Sequence, residues 1–92
     1  MSKWYSTIEE LRKMVNETIQ DVEKIEGLLN DLNCKQEWLY QELGEEECIN
    51  ILKGMNRSKD MLMETRHRYI ENIEFMKDII VRIEDVCIPP QR

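Results

Sequence analysis

Apolar residues recur along the first half of the chain at alternating steps of three and four residues. The series runs without a skip from Ile8 to Leu43, and nine of its eleven positions are apolar. This spacing places one apolar stripe along a helix, as in a coiled-coil seam, and it predicts a helix over about residues 6–43. The members of this first seam are Ile8, Leu11, Val15, Thr18, Val22, Ile25, Leu29, Leu32, Gln36, Leu39 and Leu43.

The start of this helix carries residues suited to capping. Ser6 or Thr7 fits an N-cap, and Thr7 with Glu10 has the spacing of a capping box. Glu9 and Glu10 then lie in the first turn, where the helix dipole favours acidic side chains.

A second series with the same steps follows Gly44, and ten of its twelve positions are apolar. It predicts a second helix over about residues 45–87 with three glutamates in its first turn. Gly44 is expected to form the corner in the left-handed conformation that ends many helices. The members of this second seam are Cys48, Leu52, Met55, Lys59, Leu62, Arg66, Tyr69, Ile73, Met76, Ile80, Ile83 and Cys87.

Two amphipathic helices of nearly equal length, joined at one glycine, predict an all-α fold. We expect an antiparallel two-helix hairpin that forms a single domain over residues 1–92, with its turn at residue 44. Pro89 and Pro90 end the second helix, so residues 88–92 are expected to be a disordered tail.

Two cations interrupt the second seam. With the turn at the midpoint, residue i lies opposite about residue 88 − i, which places Lys59 in the layer of Leu29 and Arg66 in that of Val22. Weak helix formers surround Lys59, and one hypothesis is a break in the helix near residues 55–59. The other is a continuous helix in which the aliphatic stems of both cations extend out of the seam.

The C-terminal half carries more apolar residues than one seam can use. A helix that is apolar over such a wide arc requires a second neighbour. We therefore expect the hairpin to complete a helical bundle with another helical protein or as a self-dimer; a third helix made by folding back at residues 55–59 is the self-contained alternative. The candidate partner-binding residues are Ile70, Phe75, Ile79, Val86, Trp38 and Tyr40.

The aromatic pair Trp4 and Tyr5 precedes the first seam and lies level with residues 83–87 in the hairpin. These two side chains either staple the open end of the hairpin or, like Trp38 and Tyr40, serve as interface anchors, where Trp and Tyr are enriched. The sequence leaves both interpretations open.

Composition excludes several classes of protein. The net charge of −6 argues against a nucleic-acid binder, because Lys and Arg contacts to phosphate dominate such affinity. The longest apolar run, Ile79 to Val81, has three residues, whereas a membrane span requires about 20. The first ten residues contain no apolar signal-peptide core, and the three cysteines form no CxxC pair. We therefore expect a cytoplasmic protein without a membrane span.

Candidate chemical groups are sparse. His67 is the sole histidine, and its helical neighbour Glu71 would supply one edge of a metal site, but no second such pair follows. Cys34, Cys48 and Cys87 are interpreted as core filler rather than as nucleophiles. The sequence thus predicts no catalytic residue, no metal ligand, no cofactor and no enzymatic activity.

A tryptophan just before a mid-chain turn with glycine, between two long heptad helices, resembles the WXG100 superfamily. The residues that carry the resemblance are Trp38, Gly44 and the two seams, and the chain is also similar to the small helical partners of LXG-type toxins of type VII secretion. The resemblance implies a helical hairpin that binds a toxin helical domain or a small helical partner.

The chain departs from this family at two motifs. Trp38 is followed by Leu39 and Tyr40 rather than by x-Gly, and Tyr69 leads to Ile73 where the family's export signal has an acid four residues on. The resemblance therefore implies a partner or targeting chaperone, cytoplasmic or co-exported with its partner, rather than an autonomously exported effector.

Two other functions are compatible with the residues. One is a homodimeric adaptor or phage-type inhibitor that docks on a host protein. The other is a helical subunit of a larger structural assembly.

Overall fold

The computed structural model describes residues 3–87, which form two helices. Helix α1 spans Lys3–Glu42 (40 residues) and α2 spans Glu45–Cys87 (43 residues), and the two pack side by side in an antiparallel hairpin of 69 × 22 × 16 Å. The all-α hairpin predicted from the sequence is confirmed. The expected tail at 88–92 lies outside the described residues.

The two seams form the contact between the helices. All eleven members of the first seam are buried or half-buried, and in the second seam Tyr69 is the one member that counts as exposed. The three-four spacing keeps the stripes in register because each step returns to the same side of the helix. Apolar periodicity thus places the hairpin's contact surface on the side that the sequence indicates.

Helix α1 begins earlier than the capping residues suggest. The hydroxyl of Thr7 donates to the backbone oxygen of Lys3 at 2.9 Å, a bond within the helix, so neither Ser6 nor Thr7 is its N-cap. The capping prediction is therefore wrong. Trp4 packs against the core, and this burial extends the helix toward the N-terminus beyond Thr7.

The corner between the helices does not use a left-handed glycine. The amide of Leu43 donates to the oxygen of Leu39 at 2.9 Å, and the amide of Cys48 donates to the oxygen of Gly44 at 3.0 Å. No residue from Lys3 to Cys87 has a positive φ. The prediction of a left-handed Gly44 is wrong: Gly44 occupies the N-cap position of α2, where its carbonyl accepts the first bond of that helix.

Helix α2 is continuous through residues 55–59, so the hypothesis of a break is wrong. Gly54 and Ser58 lie inside the helix, and the amino group of Lys59 donates across the contact between the helices to the seam residue Gln36 at 3.0 Å. The continuous helix is the alternative that the sequence left open, but only Arg66 extends out of the seam, to Glu26, whereas Lys59 stays half-buried within it.

Polar side chains cross between the helices with a shifted register. Close to the turn, Cys48 lies against the backbone of Leu39, in agreement with the 88 − i rule. Farther from the turn, the residue numbers of contacting pairs add up to 92 for Glu26 with Arg66 and Gln36 with Asn56, to 95 for Gln36 with Lys59 and to 96 for Arg12 with Glu84. Side chains in a helix lean toward the N-terminus of that helix. In an antiparallel pair the two leans add, so contacting side chains have residue numbers that add up to more than 88.

The apolar core lies in the half of the hairpin away from the turn. Six buried side chains from both helices form one cluster: Ile8, Val15, Val22, Ile73, Met76 and Ile80. Between this cluster and the turn, Ile25 and Cys48 are the buried side chains of the described region. The polar contacts of Lys59 and Arg66 occupy the interval between them, so aliphatic packing is concentrated at the open end.

This distribution predicts unequal costs for two seam truncations. Ile73→Ala should lower the free energy of unfolding by about 2–4 kcal/mol, because it leaves a cavity in the buried cluster. Leu29→Ala should cost roughly 1 kcal/mol, because Leu29 is half-buried beside the polar interval. Urea denaturation followed by circular dichroism, at one fixed protein concentration, measures both values. Equal costs would contradict a core confined to the open end.

The corner geometry predicts that Gly44→Ser stabilises the hairpin. A serine there meets no atom within 4 Å of its Cβ, fits a negative φ, and its hydroxyl can accept from the first amides of α2. We expect about 0.5–1 kcal/mol more stability.

The control for this change is Gly54→Ala, inside α2 and equally unobstructed, which should stabilise by about 0.5–1 kcal/mol through helix propensity alone. A left-handed corner would instead make Gly44→Ser destabilising by about 1 kcal/mol while leaving the control unchanged.

Candidate interaction site

One flank of the hairpin carries the polar bridges between the helices. Within residues 3–87, Glu26 bonds to Arg66 at 3.1 Å, and Arg12 lies 3.6 Å from Glu84. Nearer the turn, the amide of Gln36 donates to Asn56 at 2.8 Å. Gln36 and Arg66 are seam residues, and the other four, Arg12, Glu26, Asn56 and Glu84, each directly follow a seam residue. The flanks that meet on this side are therefore the ones that follow the seam on both helices.

We call this flank the bridged face. On α1 it consists of Tyr5, Glu9, Arg12, Asn16, Ile19, Glu23, Glu26, Asn30, Asn33, Glu37 and Tyr40. On α2 it consists of Glu46, Ile49, Lys53, Asn56, Asp60, Met63, His67, Ile70, Glu74, Lys77, Val81 and Glu84. Shallow grooves between the helices open on this side, and charged residues such as Arg12 and Lys77 border them.

The opposite flank is the unbridged face. Since the bridged flanks of the helices meet on one side of the seam, the remaining flanks must meet on the other. Beside the seam it consists of Thr7, Met14, Asp21, Leu28, Lys35 and Glu42 on α1, and of Ile51, Ser58, Thr65, Asn72, Ile79 and Val86 on α2. Its outer rim consists of Lys3, Glu10, Glu17, Lys24, Asp31, Trp38, Glu47, Gly54, Met61, Arg68, Phe75 and Arg82.

The two faces differ in charge. The bridged face carries eight acids and three bases, whereas the unbridged face with its rim carries six acids and five bases. The first is therefore strongly acidic and the second is nearly neutral. Among the described residues, the side-chain hydrogen bonds and ion pairs that cross between the helices all involve the bridged face or the seam.

The six candidate partner-binding residues are divided between these faces. Ile79 and Val86 lie on the unbridged face, with Phe75 and Trp38 on its rim, and all four are exposed. Tyr40 is exposed on the bridged face. Ile70 is half-buried and packs against the core cluster, so it offers less free surface than the other five. Their role in partner binding stays a prediction.

The N-terminal aromatic pair is divided in the same way. Trp4 is half-buried against the core cluster and acts as a staple at the open end, where Ile83 also packs. Tyr5 is exposed and meets the ring of Trp4 edge-on, with the ring centroids 6.0 Å apart. Trp4 therefore staples the open end of the hairpin, as the first interpretation expects, whereas Tyr5 remains available at the surface.

The three cysteines occupy three different environments. Cys48 is 1% exposed and its sulfur lies 3.1 Å from the backbone oxygen of Leu39, so it fills core space near the turn. Cys87 is half-buried, and Cys34 is exposed on the outer side of α1. The core-filler interpretation is therefore wrong for Cys34, which lies off the seam.

His67 is a surface side chain. Its Nε2 lies 2.8 Å from an oxygen of Glu71, and both side chains are largely in solvent. No group of three histidine, cysteine or acidic side chains in residues 3–87 is arranged to hold a metal ion. This pair has the geometry of a helical surface contact one turn apart.

Neither described helix contains an apolar stretch long enough to cross a membrane. Comparisons of the chain with protein-family models, with curated proteins and with solved structures find no match. The candidate site is therefore defined by the physical properties of its two faces.

Sequence reasoning missed one regular feature of this site. The α2 residues beside the seam on the unbridged face recur every seven positions and none is charged, although Ser58, Thr65 and Asn72 are not apolar. A search for apolar residues alone passes over them. Checking each of the seven heptad positions for charged residues would have identified this uncharged α2 series from the sequence.

The environments of the cysteines predict their reactivity. In the folded protein, Cys34 should react with a maleimide first, Cys87 more slowly, and Cys48 only after unfolding, because burial excludes the reagent. Peptide mass spectrometry after short labelling times identifies the modified sulfur, and labelling in urea supplies the control. Equal labelling of Cys48 and Cys34 in the native state would contradict the placement of Cys48.

Proposed function

We propose that this chain is a non-catalytic interaction protein whose hairpin completes a helical bundle with another helical protein. The observation that carries the proposal is the surface that the hairpin leaves in water. It exposes 7610 Å², whereas a compact monomer of 11.2 kDa exposes roughly 5,700 Å². Its radius of gyration is 20.7 Å, against about 12 Å for a compact chain of this length.

The exposed surface includes large apolar side chains that a single seam does not use. Phe75, Met61 and Val86 are each more than half exposed on α2, as is Trp38 on α1. Exposed apolar clusters in small proteins mark interaction surfaces. Two long helices present such side chains in straight rows, and the natural complement of a row is another helix packed along it.

The finer form of the proposal is a partner or targeting chaperone for the helical domain of a type VII secretion substrate. It rests on the resemblance carried by Trp38, Gly44 and the two seams. In this role the hairpin would cover apolar helices of the substrate until secretion, in the cytoplasm or during joint export. The mechanism is masking by helix–helix packing, which requires no catalytic group.

Co-expression with the helical N-terminal domain of a toxin encoded beside this chain tests the proposal. We expect a soluble complex of fixed stoichiometry, isolated through a tag on one component only. Val86→Glu should reduce recovery strongly, because Val86 is 84% exposed and the change affects association rather than folding. The matched control is Asp85→Asn, an exposed neighbour on the outer side of α2.

An affinity pull-down from the native cell, read by mass spectrometry, supplies the second arm. Recovery of one large protein with a long helical domain would support the chaperone. Failure to bind any neighbouring helical domain, together with recovery of no helical protein from the cell, would overturn the proposal.

A further inference from the structure

We infer that the unbridged face binds a second copy of this chain. In the resulting dimer the two turns lie at the same end, and α1 of each copy packs along α2 of the other. The second copy would occupy the face that carries Val86, so it competes with a toxin domain for that face. The dimer requires no heterologous partner, and its failure can be distinguished from failure of the chaperone function.

The unbridged face of α2 is prepared for burial along most of the helix. Its six residues beside the seam, from Ile51 to Val86, include no charged side chain. The hydroxyl of Thr65 already donates to the backbone oxygen of Met61 at 2.9 Å, so covering it leaves no unpaired donor. No other flanking series of α2 is free of charge over the same length.

The charges around this face complement one another under a two-fold rotation. The α1 side has five acids and three bases, and the α2 side has one acid and two bases. An axis parallel to the hairpin's length places the acidic α1 side of one copy along the basic α2 side of the other. Glu10 and Arg82 then lie at the same level, whereas the bases Lys24 and Arg68 also come level, so the complementarity is one of net charge on the two sides. The bridged face, with eight acids and three bases, would instead repel a copy of itself.

The gradient of polarity along the hairpin selects the same-end arrangement. In the half away from the turn, Met14 of α1 lies opposite Ile79 of α2 on the unbridged face. Same-end packing therefore places this apolar pair of one copy against the same pair of the other. Beside the seam on the α1 side of the face, the charged residues are Asp21 near the middle of the helix, and Lys35 and Glu42 toward the turn. The opposite-end arrangement would place apolar halves against charged ones. It would also bring Glu17 of one α1 level with Asp31 of the other.

The excess surface of the whole hairpin is of the size that a stable homodimer buries. The hairpin exposes roughly 1,900 Å² more than a compact monomer of its mass, and obligate dimers bury on the order of 1,000–2,500 Å² on each subunit. A second copy on the 69 Å face would therefore convert an extended single layer of helices into a four-helix bundle with an ordinary surface.

Sedimentation equilibrium of the full chain tests the inference, with Ile79→Glu and Val81→Glu as the matched pair. Both residues are β-branched, are similarly exposed at 45% and 52%, and lie two positions apart on opposite faces of α2. We expect the unmodified chain at twice 11.2 kDa. Ile79→Glu should weaken the dimer by about 100-fold or more, because it buries a charge, whereas Val81→Glu should remain dimeric.

A second pair of variants, on α1, tests whether a loss of the dimer reflects misfolding of the variant. Met14→Glu lies on the unbridged face and Ile19→Glu on the bridged face, and both residues are exposed. Helicity by circular dichroism should be retained in all four variants. A monomeric unmodified chain at 100 μM would overturn the inference. If Val81→Glu and Ile19→Glu dissociate the dimer while Ile79→Glu and Met14→Glu do not, the interface lies on the bridged face. That result would also overturn the inference.

Spin labels near the turn test the arrangement. Gln41→Cys in a Cys34→Ser/Cys87→Ser background places one accessible label on each copy. Same-end packing predicts a separation below about 35 Å, whereas opposite-end packing separates the labels by about 50 Å or more at 1.5 Å rise per residue. The longer distance would overturn the same-end dimer. Toxin capture by a monomeric chain would retain the chaperone function and reject this inference.

Discussion

Burial of one narrow seam is the interaction on which this hairpin depends. Each helix has one neighbour, so each can bury a single stripe, and the side chains outside that stripe remain in water. The stripe is aliphatic at the open end, where Val15 and Ile80 belong to the buried cluster, and partly polar around Lys59. The hairpin therefore has a strong half and a weak half, and its flanks determine what else it can bind.

The seam was predictable because burying one side of a helix requires apolar residues at steps of three and four, and this spacing is visible in the sequence. The helix ends were not, because several weak preferences compete there. Thr7 and Glu10 have capping-box spacing, but packing of Trp4 on the core extends α1 past them. Gly44 suggests a left-handed residue, yet the corner closes with negative φ values and uses the Gly44 carbonyl as a cap. Glycine permits a left-handed corner without requiring one.

The continuity of α2 shows how a partner helix outweighs local propensity. Gly54, Asn56 and Ser58 are weak helix formers, and in an isolated peptide they would favour a break. Here Asn56 accepts from Gln36 and Lys59 donates to the same side chain, so one α1 residue holds the weak segment both within it and at its C-terminal end. The sequence gives the length and charge of Lys59, but the position of its acceptor depends on a residue 23 positions away.

The division of the flanks follows from how the polar contacts are arranged. Bonds between the flanks need polar residues on matching flanks, and within residues 3–87 the chain meets this need on one side only, through the pair Arg12 with Glu84. Exposed ion pairs contribute little stability, so their value lies chiefly in fixing register and orientation. Concentrating them on one side keeps the other nearly neutral, with its apolar residues Met14 and Ile79 level with each other. The acidic bridged face would repel its own copy, so the dimer inferred above associates through the unbridged face alone.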